Sequence, residues 1–332
     1  MKPYLYLSGL KNLVNEITGC EVVHIGIRPY GFHAGNAMAL IVYPYLLCKY
    51  LEDYGKAPKI QFIISINDWE QDTLDGPDYR KYPFNIYPKN TSLQFTPDES
   101  GCCKSTVDHW QPMIENNLNK IKNRFKEISF KFVRNSELIS YPYCEKLLIE
   151  TIKNPKDQLK ILKKYSGKDA LDEPVSYAGV ICPKCRRSHG KTTVVKNNLI
   201  QWKCSNCGTR AKDTFKNFQY WWYHKPMLIA RIRIFKIDIT LSGGDHFSEE
   251  DFKIREALIK KYSPKTKEPK MIFTPTVVAL NGEKMSKSRN NIAFADIKKL
   301  ISATANFDDK NFYITQDLIL DKLDEKDYSS IF

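Results

Sequence analysis

No apolar run in this chain of 332 residues approaches the roughly 18–20 residues of a membrane span. The longest, Leu40–Cys48, is interrupted by Pro44, so no membrane partner is expected. The first residues carry one early lysine but no apolar stretch and no small-residue cleavage site, so no signal peptide is expected either. Acidic residues are too few to balance the basic ones. The count is 38 Asp and Glu against 51 Lys and Arg, a formal net charge of +13. That shortage favours polyanionic partners, nucleic acid or nucleotides, with simple solubility as the alternative. A disulfide framework is missing too. Of nine cysteines, four form a regular pattern; Cys20, Cys48, Cys102, Cys103 and Cys144 are scattered and odd in number. This fits a reducing cytoplasm, the expected location. A hydrophobic content of 42% supports a real core in one large or two modest domains.

The sequence gathers around Asn281–Asn291, N-G-E-K-M-S-K-S-R-N-N. A strand is expected before it, over Met271–Leu280, and a helix after it, from about Phe294. Lys284 and Lys287 stand three residues apart on a Gly-bearing loop, beside Met285 and Ser286. Such ammonium groups can swing onto a triphosphate.

Residues 1–20 read as a short leading helix ending near Gly19. A buried strand, Glu21–Ile27, then runs into a Gly/Pro turn, Arg28–Asn36, and an apolar helix from Ala37 to about Tyr54. Strand, turn and helix make the first unit of a parallel nucleotide-binding sheet. The helix start offers free N–H groups and the positive dipole end to an anion. His33 and Asn36 add donors, and Gly35 leaves room for a flat base. A second strand, Lys59–Ile66, ends in Asn67-Asp68-Trp69. Asp68 there can either recognise a cationic substrate amine or cap the next helix. Residues 71–108 read as a long irregular connection. Helical periodicity follows over 110–127 and 143–164, around a strand-like Ile128–Val133.

Cys182-Pro-Lys-Cys185 and Cys204-Ser-Asn-Cys207 form two C-x₂-C pairs separated by 18 residues. Four thiolates at this spacing close a tetrahedron around Zn²⁺ with no open position, a structural zinc ribbon. From Cys182 to Asn217 there are nine Lys or Arg and one acid, Asp213. Either this surface touches a phosphate backbone or it only solubilises the module. Beyond it, Phe218–Pro226 opens a helix to about Phe235, and strand Ile237–Leu241 delivers Ser242-Gly-Gly-Asp-His-Phe247. Gly243 and Gly244 let the backbone approach a ribose, and Asp245 can accept from its hydroxyls. A helix follows from Ser248.

His33-Ala34-Gly35-Asn36 and Lys284–Ser288, about 250 residues apart, resemble the two signatures of class I aminoacyl-tRNA synthetases. Gly244-Asp245-His246, preceded by Gly243, resembles the ribose-binding motif of that class. The order of parts, including the four-cysteine ribbon, is most like the class I lysyl-tRNA synthetases. The resemblance implies a Rossmann-like parallel α/β catalytic domain, with a helical connective insertion, a zinc ribbon and a short helical tail. Boundaries are expected at 1–108 and 218–292 for the two catalytic halves, 109–180 for the insertion, 181–217 for the ribbon and 293–332 for the tail.

It further implies catalysis by His33, Asn36, Lys284 and Lys287, and ATP binding by Gly35, Gly243, Gly244, Asp245, Met285 and Ser286. Amino-acid binding is implied for Gly31, Asp68, Trp222 and His246. The partners would be ATP with Mg²⁺, an amino acid (lysine favoured) and the tRNA acceptor end. Three features depart from that pattern. Only Phe32 separates Gly31 from His33. His224 and Lys225 stand where the resembled family carries an acid and a tryptophan. About 40 residues follow K-M-S-K-S, too few for the usual anticodon-binding domain. Two alternatives follow: a paralogue acylating a small amine or carrier protein, and a non-catalytic RNA-binding relative.

Overall fold

The computed structural model describes residues 4–6, 17–29, 34–69, 91–98, 101–166, 178–187, 190–194, 199–222, 224–244, 248–274, 294–295, 299–302 and 319–320. In chain order the first half holds β1 (Tyr4–Tyr6) and β2 (Val22–Ile27). A continuous helix, α1, follows, built from Ala34–Ala37, a π-helical stretch Met38–Val42 and Tyr43–Asp53. Next come β3 (Gln61–Ile66), α2 (Thr106–Arg124) and β4 (Ser129–Arg134). A 3₁₀ segment Asn135–Ser140 leads to α3 (Pro142–Lys153) and α4 (Pro155–Ser166). Short strands follow: β5 (Ala178–Val180), β6 (Gly190–Val194), β7 (Leu199–Cys204), β8 (Arg210–Thr214) and β9 (Tyr220–Trp222). Then come α5 (His224–Phe235), β10 (Ile239–Gly243), α6 (Glu249–Tyr262) and β11 (Lys270–Thr274). The strands β12 (Phe294–Ala295) and β13 (Ile319–Leu320) close the series.

Six strands form one parallel sheet in the order β1-β11-β10-β2-β3-β4. A parallel sheet must be covered on both faces, and its strands read as continuous apolar runs. The side chains divide by alternation, as strand geometry requires. Phe62, Ile64 and Ile66 of β3 join Val23, Ile25 and Ile27 in a core with α1 and α2. Ile63 turns the other way, into a core with α3, α5, α6 and the ribbon strands. The resulting α/β architecture is the Rossmann-like sheet expected. Among the described residues no helix is long and apolar enough to cross a membrane.

Helix boundaries follow local chemistry. Ser105 and Ser248 cap α2 and α6, their hydroxyls accepting from the N–H groups of Asp108 and Asp251. Pro44 lies inside the continuous α1, where its ring has no N–H to donate and crowds the preceding turn. The widened π turn directly ahead of it makes room for the ring. Asp238 lashes the amino ends of the two central strands together, one carboxylate oxygen accepting from the N–H groups of Glu21 and Val22 at 2.9 and 3.0 Å.

Four expectations need correction. Tyr4–Tyr6, read as part of a leading helix, is an edge strand; three alternating residues are too few to declare a period, and the pairing with Met271–Phe273 decides it. Tyr220–Trp222, read as the start of a helix, pairs antiparallel with Ala178–Val180, and the helix begins at His224. Phe294–Ala295 pairs with Ile319–Leu320 instead of opening a helix, and the helical residues there are Lys299–Ser302. Within 109–180, read as an insertion, α2 packs on the sheet and β4 is one of its strands.

Ile25, fully buried in the central strand β2, offers a test of this core. Ile25→Ala is expected to lower the unfolding free energy by about 2–5 kcal/mol in urea titrations. A change below about 1 kcal/mol would contradict its placement.

Candidate active site

In an open parallel sheet, ligands bind outside the carboxyl ends of the strands, where the strand order reverses. Here β2 leads outward one way to β3 and β4, while β10 and β11 lie on its other side, so the switch point lies between β2 and β10. Ile25 of β2 is level with Leu241 of β10, and Gly243 at the end of β10 is level with Thr274 at the end of β11. Gly35 and Asn36 occupy the first turn of α1, half-buried, just beyond β2. Gly243 and Gly244 sit at the end of β10, with Gly244 buried. Gly31, His33, Asp245, His246, Lys284, Met285, Ser286 and Lys287 lie outside the described residues.

The ends of the segment that carries K-M-S-K-S are nevertheless in view. Thr274, where β11 stops, is at the carboxyl edge of the sheet. Phe294–Ala295, three residues beyond Asn291, lies against Ala34–Ala37, with Cα atoms within 8 Å. The segment thus leaves from one side of the switch point and returns to the helix start on the other.

The carboxyl ends of β3 and β4 are tied by a buried polar network. Arg231 of α5 donates to the amide oxygens of Asn67, at 3.0 Å, and Asn135. Asn135 in turn donates to Asn67 at 2.9 Å. Asp68 is 1% exposed, and its carboxylate accepts from the Ser136 N–H at 3.0 Å and from the Ser136 hydroxyl. Its oxygens therefore cap the 3₁₀ turn after β4. One layer below, His24 Nε2 meets Ser65 Oγ at 3.0 Å. Burial, then the nearby Arg231 charge, holds the His24 pKa well below its usual range, so the ring is neutral at physiological pH. Trp222 is a buried strand residue whose indole N–H has no partner among the described residues.

The four ribbon cysteines converge. Their sulfurs lie within 4.8 Å of one another, with Cys182–Cys207 and Cys185–Cys204 each at 3.6 Å. A disulfide needs about 2.05 Å. A zinc tetrahedron with Zn–S near 2.3 Å has an edge of about 3.8 Å, so the donor set fits a four-coordinate thiolate metal. The Cys185 N–H points at Cys182 Sγ at 3.5 Å, and Gly208, at φ +72°, supplies the left-handed turn after the second pair. The strands β6, β7 and β8 form the antiparallel ribbon.

A second ligand-bearing cluster was missed in the sequence. Asp98, Cys102, Cys103 and His109 bring one donor atom each to within 4.8 Å. Cys102 Sγ lies 3.2 Å from His109 Nδ1, which is 3.3 Å from Asp98 Oδ1. Two cysteines read as scattered thus belong to a built cluster. The only signal was a vicinal Cys-Cys pair with Asp and His nearby, at a spacing that matches no familiar metal pattern.

The strap Thr91–Asp98 joins these parts. The Arg186 carbonyl in the first cysteine knuckle accepts from the Ser92 N–H at 3.3 Å. The Ser92 hydroxyl and the Gln94 N–H both reach the Asp68 carbonyl at 3.0 Å.

Burial outweighs the Ser136 hydrogen bonds at Asp68 and pushes its pKa up from 3.8 to about 6. A carboxyl raised in the folded state stabilises most below its unfolded pKa, and that contribution fades as pH rises through about 6. Comparing thermal midpoints of the native chain and Asp68→Asn between pH 4 and 6.5, the native advantage is expected to shrink as pH rises. A constant difference would contradict the raised pKa.

Residues 11–306 match the family described as tRNA synthetases class I (K). A lysine–tRNA ligase of Thermococcus kodakarensis is 25% identical over 244 residues, covering 68% of this chain and 42% of that protein. The chain thus spans about two fifths of that relative's length. Similar solved structures include tryptophanyl-tRNA synthetase from Campylobacter jejuni complexed with ADP and tryptophan, at 14% identity and TM-score 0.41, over 85% of this chain and 67% of that one. Another is the Leishmania major tyrosyl-tRNA synthetase in complex with tyrosinol, at 13% identity and TM-score 0.42, over 94% and 38%. With the family matched over nearly its whole length, the chain belongs to the class I (K) tRNA synthetases.

Proposed function

We propose that this chain joins an amino acid, lysine in the first instance, to ATP as an aminoacyl-adenylate and passes it to the acceptor end of tRNA. One observation carries the reading. The segment that bears Lys284 and Lys287 starts at the end of β11 and returns beside the first turn of α1, across the switch point. Lysine as the substrate rests on the family's description and on the Thermococcus kodakarensis relative.

In activation, a carboxylate oxygen of the amino acid attacks the α-phosphorus of ATP and pyrophosphate leaves. Negative charge builds on the phosphate oxygens, so fixed N–H donors and cations lower the barrier without a protein nucleophile. In this reading His33, Asn36 and the start of α1 hold the triphosphate on one side, and Lys284 and Lys287 close from the other. Gly243, Gly244 and Asp245 take the ribose, while Met285 and Ser286 line the nucleotide. Gly31, Trp222 and His246 take the amino acid, with the Asp68 turn setting the far wall. Mg²⁺ would accompany ATP and share the phosphate charge.

Zn²⁺ is the metal assigned to Cys182, Cys185, Cys204 and Cys207, where it would be structural. The mixed set of Asp98, Cys102, Cys103 and His109 also suits zinc, since carboxylate, thiolate and imidazole are all ligands it takes. The basic ribbon surface would contact the RNA backbone.

ATP–pyrophosphate exchange, screened over twenty amino acids with and without tRNA, is expected to show exchange with lysine. Lys284→Ala and Lys287→Ala should each lower the rate by about 10²–10³-fold. No exchange with any amino acid would overturn the activation reading, and exchange with another amino acid would overturn lysine alone. Elemental analysis should give two zinc equivalents per chain, with one lost in Cys204→Ser and the other kept. Retention of both in that variant would contradict the ribbon assignment.

A further inference from the structure

The polar network at the ends of β3 and β4 leaves one donor over. A guanidinium can only donate, so the atom of each amide that faces Arg231 must be its oxygen. The hydrogens on Arg231 Nη2 go to Asn67 and Asn135, one to each. Asn135 then turns its own Nδ2 to Asn67 Oδ1. Asn67 Oδ1 thus takes two donors, at 3.0 and 2.9 Å, and both of its lone pairs are used. The other end of that amide, Nδ2, donates to no described residue and is not enclosed. Asn67 is half-buried, while Asn135 and Arg231 are buried. Three residues therefore fix one outward donor and its orientation before any ligand arrives.

The place of this donor selects its partner. The Asn67 N–H donates to the Ile27 carbonyl at 2.8 Å, so Asn67 stands where β2 gives way to the turn before α1. Arg231 Nη1 reaches the same strand end from the α5 side: a β-carbon built at Gly26 would lie 3.8 Å from it. In the strand order β10-β2-β3, Asn67 is two strands from Gly243, about 10 Å at the usual spacing. A nucleotide with its ribose over Gly243–Gly244 and its phosphates at the start of α1 leaves the Asn67 side to the amino acid. An amide N–H needs an acceptor. The side chain and the α-amino group of lysine both end in ammonium, which only donates. Its carboxylate is all that Asn67 Nδ2 can hold.

We propose that Asn67 anchors the carboxylate of the amino acid: its Nδ2 donates to one carboxylate oxygen and leaves the other free to attack the α-phosphorus. Arg231 is the positioning residue that orients the Asn67 amide. This deepens the synthetase reading and rests on it. The bond is made to an anion in the ground state, and the held oxygen loses charge as the new oxygen–phosphorus bond forms. Asn67 therefore acts on KM for the amino acid more than on kcat.

The test uses the full chain and ATP–pyrophosphate exchange with the amino acid that supports it. The decarboxylated amine of that amino acid, 1,5-diaminopentane for lysine, serves as a competitive inhibitor. Asn67→Asp keeps an oxygen facing Arg231 and puts a second oxygen where the amide N–H groups were. Its KM for the amino acid is expected to rise about 10–100-fold, with kcat and the KM for ATP little changed. The amine, which has no carboxylate to lose, should inhibit the variant at least as well as the native chain. A native KM in Asn67→Asp would overturn the proposal. So would equal weakening of amino acid and amine, which would mark a pocket of altered shape. If circular dichroism shows Asn67→Asp unfolded, Asn67→Ala carries the same comparison. Arg231→Lys should raise the amino-acid KM in the native chain and add nothing to Asn67→Ala; a further rise there would remove Arg231 from the account. No exchange in the native chain with any amino acid would instead overturn the activation reading.

Discussion

Parallel pairing imposes one constraint from which the rest of this molecule follows. Each strand must begin at the same edge of the sheet, so every connection has to cross back over a face. All carboxyl ends then open on a single edge, and the backbone there turns away into loops and helix starts. Where the order reverses, between β2 and β10, the connections leave to opposite faces and the edge parts into a crevice. Nothing in the local sequence of the first turn of α1 or of Gly243–Gly244 demands that they be neighbours. Only the sheet does.

Polar lashings hold the sheet at both of its edges. Asp238 binds the amino ends of β2 and β10 together, while Arg231, Asn67 and Asn135 bind the carboxyl ends of β3 and β4. A buried guanidinium is costly unless its donors find acceptors, and two amide oxygens at neighbouring strand ends accept from its Nη2 group. The strap Thr91–Asp98 extends the same logic outward. Its first residues are bonded to the knuckle of Cys182–Cys185, its last residue belongs to the second ligand cluster, and its middle holds the Asp68 carbonyl. Metal held at either end would keep the wall of the crevice in place.

Much of the sheet was legible in the sequence because its strands are long apolar runs bounded by turns: Val22–Ile27, Gln61–Ile66 and Lys270–Thr274 could hardly be read otherwise. Tyr4–Tyr6 and Tyr220–Trp222 could not, since three residues show no period and their state is settled by distant partners. Ser129–Arg134 was legible as a strand but not as a member of the main sheet, because a strand does not state its neighbour. The four ribbon cysteines were legible from spacing alone. Asp98, Cys102, Cys103 and His109 were not, for their convergence depends on a cap at Ser105 and a carboxylate that binds two backbone N–H groups. Arg231 gave no local signal, being one of three basic residues, with Lys225 and Arg233, in a helix otherwise mostly apolar.

The central claim is that two signatures about 250 residues apart meet over one nucleotide at the β2–β10 switch point. A crystal structure of the chain with a non-hydrolysable ATP analogue tests it most directly. The account predicts the ribose over Gly243–Gly244 and the phosphates between the start of α1 and the Lys284–Lys287 loop. Nucleotide bound anywhere else on the molecule, or density in the crevice that leaves either signature out of reach of it, would contradict the account.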